Sequence, residues 1–211
     1  MIYFVRDNMK ILDTFYPIFD SYEWLERLVP LGIKLVQLRI KDKPMEEIRR
    51  QIQQSKQLCT QYNCQLVVND YWQLAIEEEC DFIHLGQEDL DDADIVTIKN
   101  AGLKIGISTH CQEELERALK YQPTYIALGP VYPTILKKMK WHEQGLNTVT
   151  QWKTQLEIEG ISLVGIGGIS VKRAQGVLDA GADIVAAVTD ITLNPSPEAR
   201  VEEWLEITQS R

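Results

Sequence analysis

The run KLVQLRIKDKP, residues 34–44, sets Gln37, Arg39 and Lys41 at alternate positions with Val36, Leu38 and Ile40 between them. Alternate residues of a strand share a face, so such a strand has one apolar face and one carrying an amide and two cations. Further along, Asp70 follows LVVN and Asp89 follows HLGQE. Two carboxylates are hard oxygen donors of the kind Mg²⁺ takes, the rest of its shell being water and substrate phosphates. Cations beside such a pair describe a site for a metal-bound polyphosphate. The competing readings are a salt bridge from the cations to Asp70 or Asp89, and helix capping by the two aspartates. A second anion-binding element is VGIGGIS, where Gly167 and Gly168 let backbone N–H groups approach a phosphate; the competing reading is a tight turn without a ligand.

Positioning these groups takes a scaffold, and the chain supplies a repetitive one. Strand-like runs fall near residues 15–19, 35–40, 66–69, 82–86, 104–108, 125–129, 162–167 and 184–188, separated by helical, charge-bearing stretches. Asp20 with Glu23 reads as a capping box, Pro44 as a first-turn residue, and Gly32, Gly102, Gly160 and Gly181 as left-handed helix ends. Roughly 26 residues per strand-helix unit is the compact end of a (β/α)₈ TIM barrel. A doubly wound open sheet competes, but YPIFDSYEW lacks the Gly-rich first turn that such a sheet carries. Residues 1–13 are read as an N-terminal extension, residues 14–211 as a single barrel, and residues 130–146 as one long connection after the sixth strand.

Barrels of this kind place reactive groups at the C-terminal ends of strands. Here those ends carry Gln37, Arg39 and Lys41; Asn69 and Asp70; Gln87, Glu88 and Asp89; Ser108, Thr109 and His110; Thr134 with Lys137 or Lys138; Gly167 and Gly168; and Val188, Thr189 and Asp190. A Gln/Arg/Lys face turned into the barrel mouth would bury cations that an anionic ligand could partner. His84 reads as a hydrogen-bonded core group, and Trp24, Trp72 and Trp204 as packing residues. The four cysteines have no metal or disulfide spacing and read as reduced thiols in helices. A net charge of −9 argues against a nucleic-acid partner. No apolar run is long enough to span a membrane and the start is too charged for a secretory signal, so a cytoplasmic protein is expected.

Taken in order, VQLRIKD, VVNDYWQLAI, HLGQEDL, GISTH, ALGPVYPT, GIGGIS and AVTDI resemble the thiamine phosphate synthase family over essentially the whole chain. The resemblance implies a transferase that joins 4-amino-5-hydroxymethyl-2-methylpyrimidine diphosphate to a thiazole phosphate, releasing pyrophosphate in the presence of Mg²⁺. It places pyrimidine-diphosphate contacts on Gln37, Leu38, Arg39, Ile40, Lys41, Asn69, Ser108 and Lys137, with Arg39, Lys41, Ser108 and Lys137 serving catalysis. It places Mg²⁺ on Asp70 and Asp89, and the thiazole phosphate on Thr134, Ile135, Leu136, Gly168, Val188 and Thr189. Its partners would be small phosphorylated molecules; a homo-oligomer is left open.

The chain departs from the family pattern at two points. The family reads P-T-x-T-K where this chain has PTILK, so Leu136 stands in place of a threonine hydroxyl expected to touch the thiazole partner. Thr189 stands where the family usually has serine, which keeps a hydroxyl. The alternative readings are a related thiazole tautomerase, which would not need the paired aspartates or the Arg and Lys, and a non-catalytic phosphate-binding regulatory paralogue.

Overall fold

Short β-branched and aromatic runs, each punctuated by a turn, build β1 (Phe15–Phe19), β2 (Leu35–Leu38), β3 (Gln65–Asn69), β4 (Phe82–Leu85), β5 (Lys104–Thr109), β6 (Tyr125–Leu128), β7 (Ser162–Gly165) and β8 (Ile184–Ala187). The computed structural model of the chain describes residues 12–134 and 142–209. Each strand pairs in parallel with the next, and β8 closes on β1 through Phe15↔Val185, Tyr16↔Ala186 and Pro17↔Ala187. Parallel neighbours need crossovers. These are α1 (Tyr22–Leu28), α2 (Met45–Gln61), α3 (Trp72–Glu77), α4 (Asp89–Asp92), α5 (Ile95–Asn100), α6 (Gln112–Leu119), α7 (Gly145–Glu159), α8 (Val171–Asp179), α9 (Thr189–Thr192) and α10 (Pro197–Gln209). The expected (β/α)₈ barrel is the observed fold. Gly32, Gly102, Gly160 and Gly181 all have positive φ, the backbone that lets each helical segment turn directly into a strand.

Period two sorts the strand residues into two apolar layers. Val36, Leu38, Ile83, Leu85, Ile126 and Leu128 belong to the outer layer against the helices. There Trp204 stacks on Phe15 at 5.2 Å and Trp24 on Phe19 at 6.0 Å, as packing residues should. The inner layer holds Tyr16, Leu35, Val67, Phe82, Tyr125 and Val164, with Leu12 packed against it ahead of β1.

Two expectations about local structure are corrected. The N-terminus of α1 begins at Ser21, in extended conformation and with no side-chain cap, so Asp20 and Glu23 form no capping box. Glu23 instead accepts a hydrogen bond from Ser21, which lowers its pKa. The cysteines are free thiols, but only Cys59 lies within a helix; Cys64 and Cys80 sit in the turns before β3 and β4, and Cys111 precedes α6.

Polar groups run through the middle of the inner layer. Gln37 Nε2 donates to the Tyr16 hydroxyl at 2.9 Å, the Tyr16 and Tyr125 hydroxyls share a hydrogen bond at 2.8 Å, and Tyr125 meets His84 Nδ1 at 2.7 Å. The imidazole's other nitrogen, Nε2, lies 2.8 Å from Ser108 Oγ. His84 is thus the hydrogen-bonded core group that its apolar strand suggested. Gly106 makes room for this chain: a Cβ there would stand 2.1 Å from Cζ of Tyr125.

Gly106→Ala must therefore displace a ring held between Tyr16, Phe82 and His84. Overpacking of this kind costs about 1–3 kcal/mol, and the urea midpoint is expected to fall accordingly. An unchanged midpoint would show that the ring can move freely. Burial lowers the His84 pKa to about 4, with Asp89 opposing and Arg39 assisting. Unfolded histidine protonates near 6.5, so between the two values the unfolded chain binds the extra proton. The stability contributed by neutral His84 is present above about pH 6.5 and lost as pH falls toward 4, about 3 kcal/mol in all. Denaturation midpoints measured across that window should fall less steeply in His84→Asn than in the wild type; parallel slopes would refute this.

Candidate active site

The inner positions nearest the strand C-termini carry the polar groups of the mouth. Gln37 ends the inward set of β2 at 2% exposure, and Asn69 ends that of β3 at 4%. Neither the Gln37 Oε1 nor the Asn69 carboxamide has a partner among the described residues, so both keep hydrogen-bonding capacity for a ligand. Ser108 is fixed from below by His84, and its backbone carbonyl accepts from Gln87 Nε2 at 2.8 Å. Arg117 in turn donates to the Gln87 carbonyl at 3.2 Å and to Asp91 at 2.6 Å. Gln87 Oε1 is buried without a partner among the described residues.

Arg39 and Lys41 do not continue the inward face of β2. Pairing with β3 stops at Leu38↔Val68, the strand ends there, and Arg39 and Lys41 stand exposed on the rim while Ile40 stays buried outside the barrel. The physical reason is register: residue pairing with both β1 and β3 ends at Leu38, and two cations are better hydrated at the rim than enclosed. Arg39 is tied by its backbone, whose N–H donates to the Phe19 carbonyl at 2.7 Å. Its guanidinium has no ion-pair partner among the described residues, although it lies close enough to His84 to disfavour the imidazolium. Lys41 forms an ion pair with Asp70, one of the competing readings of these cations.

Asp70 sits at φ 65, a left-handed residue between β3 and α3, with its N–H donating to the His84 carbonyl at 2.9 Å. It is not the N-cap of α3; Tyr71 is, without a side-chain bond. Asp89 opens α4 and accepts the Gly86 N–H at 2.8 Å. The two carboxyl groups come within hydrogen-bonding reach of each other. Burial first, and then the Asp70 charge, push the Asp89 pKa up, while the Gly86 amide and Lys41 pull it down. A like-charged pair of hard donors is what a divalent cation would relieve. No third acidic, His or Cys ligand joins them among the described residues, so the pair fits an ion that keeps water and substrate oxygens rather than an all-protein cage.

Across the mouth, Gly167 at φ 93 and Gly168 at φ 64 form the turn between β7 and α8. A Cβ on Gly168 would stand 2.4 Å from the Pro133 carbonyl, so only glycine fits against the β6 connection. That connection is laced to the turn by Val131 and Tyr132 N–H groups donating to Ile166 and Gly167 carbonyls at 2.8 and 3.0 Å. Its two ends are also joined, Gln144 N–H donating to Pro130 O at 2.8 Å and Gly145 N–H to Val131 O at 3.0 Å. Arg173, which sequence reasoning passed over inside a helical run, donates to the Gly168 carbonyl at 2.7 Å and lies 4.6 Å over the Tyr132 ring. Val188 packs against the inner layer and Thr189 opens α9 beside it. Asp190 is structural, accepting from Trp204 Nε1 at 2.9 Å and from Val171 N–H at 3.3 Å. Thr134 ends the described part of the connection; Ile135, Leu136 and Lys137 lie outside the described residues.

Gln37, Asn69, Ser108, the aspartate pair, Arg39 and Lys41 thus occupy one side of the mouth, on β2 to β5 and the loops that follow them. The glycine turn, Val188 and Thr189 occupy the other, on β7 and β8. Tyr16, Tyr125 and His84 were missed as site-supporting groups. Their signal was available, since each falls at an inward position of an otherwise apolar strand. Such an arrangement can hold a metal-bound diphosphate on one side and a phosphate on the other, with the reacting ends meeting between.

The chain was compared with known proteins. The family model described as thiamine monophosphate synthase matches residues 3–191. The chain is 57% identical over 197 residues to the thiamine-phosphate synthase of Rhizobium etli, covering 93% of this chain and 96% of that protein. It is 43% identical to the enzyme of the same name from Pectobacterium atrosepticum, covering 93% and 92%. Among solved structures, the thiamine phosphate pyrophosphorylase from Pyrococcus furiosus superposes with a TM-score of 0.84 at 26% identity, covering 96% of this chain and 98% of that one. The chain belongs to the thiamine monophosphate synthase family.

Proposed function

We propose that the barrel mouth is the active site of a thiamine-phosphate synthase, a transferase that joins 4-amino-5-hydroxymethyl-2-methylpyrimidine diphosphate to a hydroxyethylthiazole phosphate, giving thiamine phosphate and pyrophosphate, or to a carboxythiazole phosphate, giving the same two products and CO₂. The observation that carries this reading is the meeting of Asp70 and Asp89 carboxyl groups beside the cations Arg39 and Lys41, opposite a glycine turn. A tautomerase would have no use for that diphosphate machinery, and the family relatives do not favour it. Small phosphorylated molecules are the partners this implies. Among the described residues no helix is long and apolar enough to cross a membrane. The cytoplasm is the compartment we assign, in keeping with four free thiols.

In the proposed reaction the bond between the pyrimidine methylene carbon and the diphosphate oxygen breaks, and its electron pair leaves with the diphosphate. The thiazole nitrogen then supplies the pair for the new C–N bond. Arg39, Lys41 and Lys137 meet the charge on the departing oxygens, and Ser108 donates a hydrogen bond to them. Gln37, whose Oε1 is uncommitted, accepts from the pyrimidine amino group and orients the ring; Asn69 and the backbone at Leu38 and Ile40 complete that pocket. Asp70 and Asp89 would hold Mg²⁺, which when bound adds positive charge at the diphosphate. The amides of Gly167 and Gly168, with Val188 and Thr189 nearby, hold the thiazole phosphate so that its ring faces the pyrimidine. No general base is required, and positioning with fixed charge carries the acceleration.

The test is formation of thiamine phosphate from the two substrates with Mg²⁺, abolished by chelator. Asp70→Ala is expected to lower kcat/KM about a hundredfold at saturating Mg²⁺, in line with losing one charge-stabilising group; near-wild-type turnover would sink the metal assignment. Leu136→Thr restores a hydroxyl to the acceptor side. One neutral hydrogen bond is worth about 0.5–1.5 kcal/mol, so the KM for the thiazole phosphate should improve about two- to tenfold. No improvement would show that the chain compensates elsewhere.

A further inference from the structure

The five side chains Gln37, Tyr16, Tyr125, His84 and Ser108 form an unbroken hydrogen-bonded line through the barrel, from β2 by way of β1, β6 and β4 to β5. Its two ends are residues the proposed reaction uses, and its three middle members have no assigned role. The middle is dry: Tyr16 is 1% exposed, Tyr125 0% and His84 7%.

Hydrogen-bond satisfaction sets the direction of the line. An amide nitrogen can only donate, so the Tyr16 oxygen accepts from Gln37 Nε2, and among the described residues the one acceptor left for the buried Tyr16 proton is Tyr125. Tyr125, already accepting, donates to His84 Nδ1. An imidazole that accepts at Nδ1 carries its proton on Nε2, so His84 donates to Ser108 Oγ. Ser108 is left with a hydroxyl proton that must point elsewhere. Turning the Gln37 amide over would reverse every bond: His84 would carry its proton on Nδ1, and the Ser108 proton would be drawn back to Nε2.

We propose that Tyr16, Tyr125 and His84 are positioning residues that couple the two ends of one substrate. A ligand N–H donor seated on Gln37 Oε1 locks the amide, and the line then presents the Ser108 hydroxyl as a donor to the anionic group of that ligand. This rests on the synthase reading, in which the donor is the pyrimidine amino group and the anion its diphosphate. The coupling is one of polarity, so no backbone movement is needed, and the buried line admits only two arrangements. A substrate lacking the ring amino group would leave the amide unlocked and lose turnover, although its diphosphate is intact.

The test is nitrogen NMR of the full chain labelled at histidine, with His84 assigned by the signal lost in His84→Asn. The expected result is a bare Nδ1 and a protonated Nε2, a state sharpened by adding the aminopyrimidine diphosphate. In Tyr125→Phe, Nδ1 loses its donor. The signal should move toward a mixture of tautomers, with kcat lowered about tenfold and the KM for thiazole phosphate unchanged. A merely structural tyrosine would lower the melting temperature without moving the tautomer. A wild-type His84 protonated on Nδ1 with pyrimidine diphosphate bound overturns the relay. An unchanged tautomer in a folded Tyr125→Phe also overturns it. A chain with the expected tautomer but no thiamine phosphate formation overturns the synthase reading and leaves the line from Gln37 to Ser108 standing.

Discussion

Tyr125 lies across the interior of the barrel in the space that a side chain on residue 106 would need. That steric exchange, one absent Cβ on β5 for one aromatic ring from β6, is the constraint on which the mouth depends. The ring packs against Phe82 and Tyr16 below, and its hydroxyl joins the line that holds Ser108. Small closed barrels fill their interior with side chains rather than leaving a pore, and here the filling ends in hydrogen-bonding groups. The floor of the site is therefore built from the same residues that close the fold.

Charge is distributed by the same logic. The interior chain is neutral throughout, since a buried imidazolium or phenolate has no counter-ion there. Formal charges begin at the rim, where Arg39, Lys41, Asp70 and Asp89 meet water. The chain carries −9 overall, so its cations at the mouth act locally against an acidic background. Lys41 is paired with Asp70, and the Arg39 guanidinium has no ion-pair partner among the described residues.

Much of this was legible in the residues. Alternation placed the strands to within a few positions, and Gly32, Gly102, Gly160 and Gly181 marked helix-to-strand turns through their need for positive φ. Asp70, Asp89, Ser108 and Gly168 stood out as polar or bare residues at the ends of apolar strands, the positions where a barrel of this kind carries its reactive groups. The end of β2 was not legible, because it depends on how far β3 accompanies it and not on KLVQLRIK itself. Nor was the line of hydroxyls: Tyr16 and Tyr125 are 109 positions apart and meet only because β1 and β6 face each other inside a closed barrel. Arg173 escaped notice for a related reason, its partners Gly168 and Tyr132 being brought to it by two different strand-end loops.

The connection after β6 leaves and re-enters the barrel through one point, where Gln144 and Gly145 bond back to Pro130 and Val131. With its base fastened, the ordering cost of the segment beyond is uncoupled from the barrel's own stability, and length changes there are tolerated at a shallow logarithmic penalty. Substitutions and length changes between the two fastened ends can then accumulate while the folding of the scaffold is left alone. The pinched base makes variation in this connection heritable separately from the barrel.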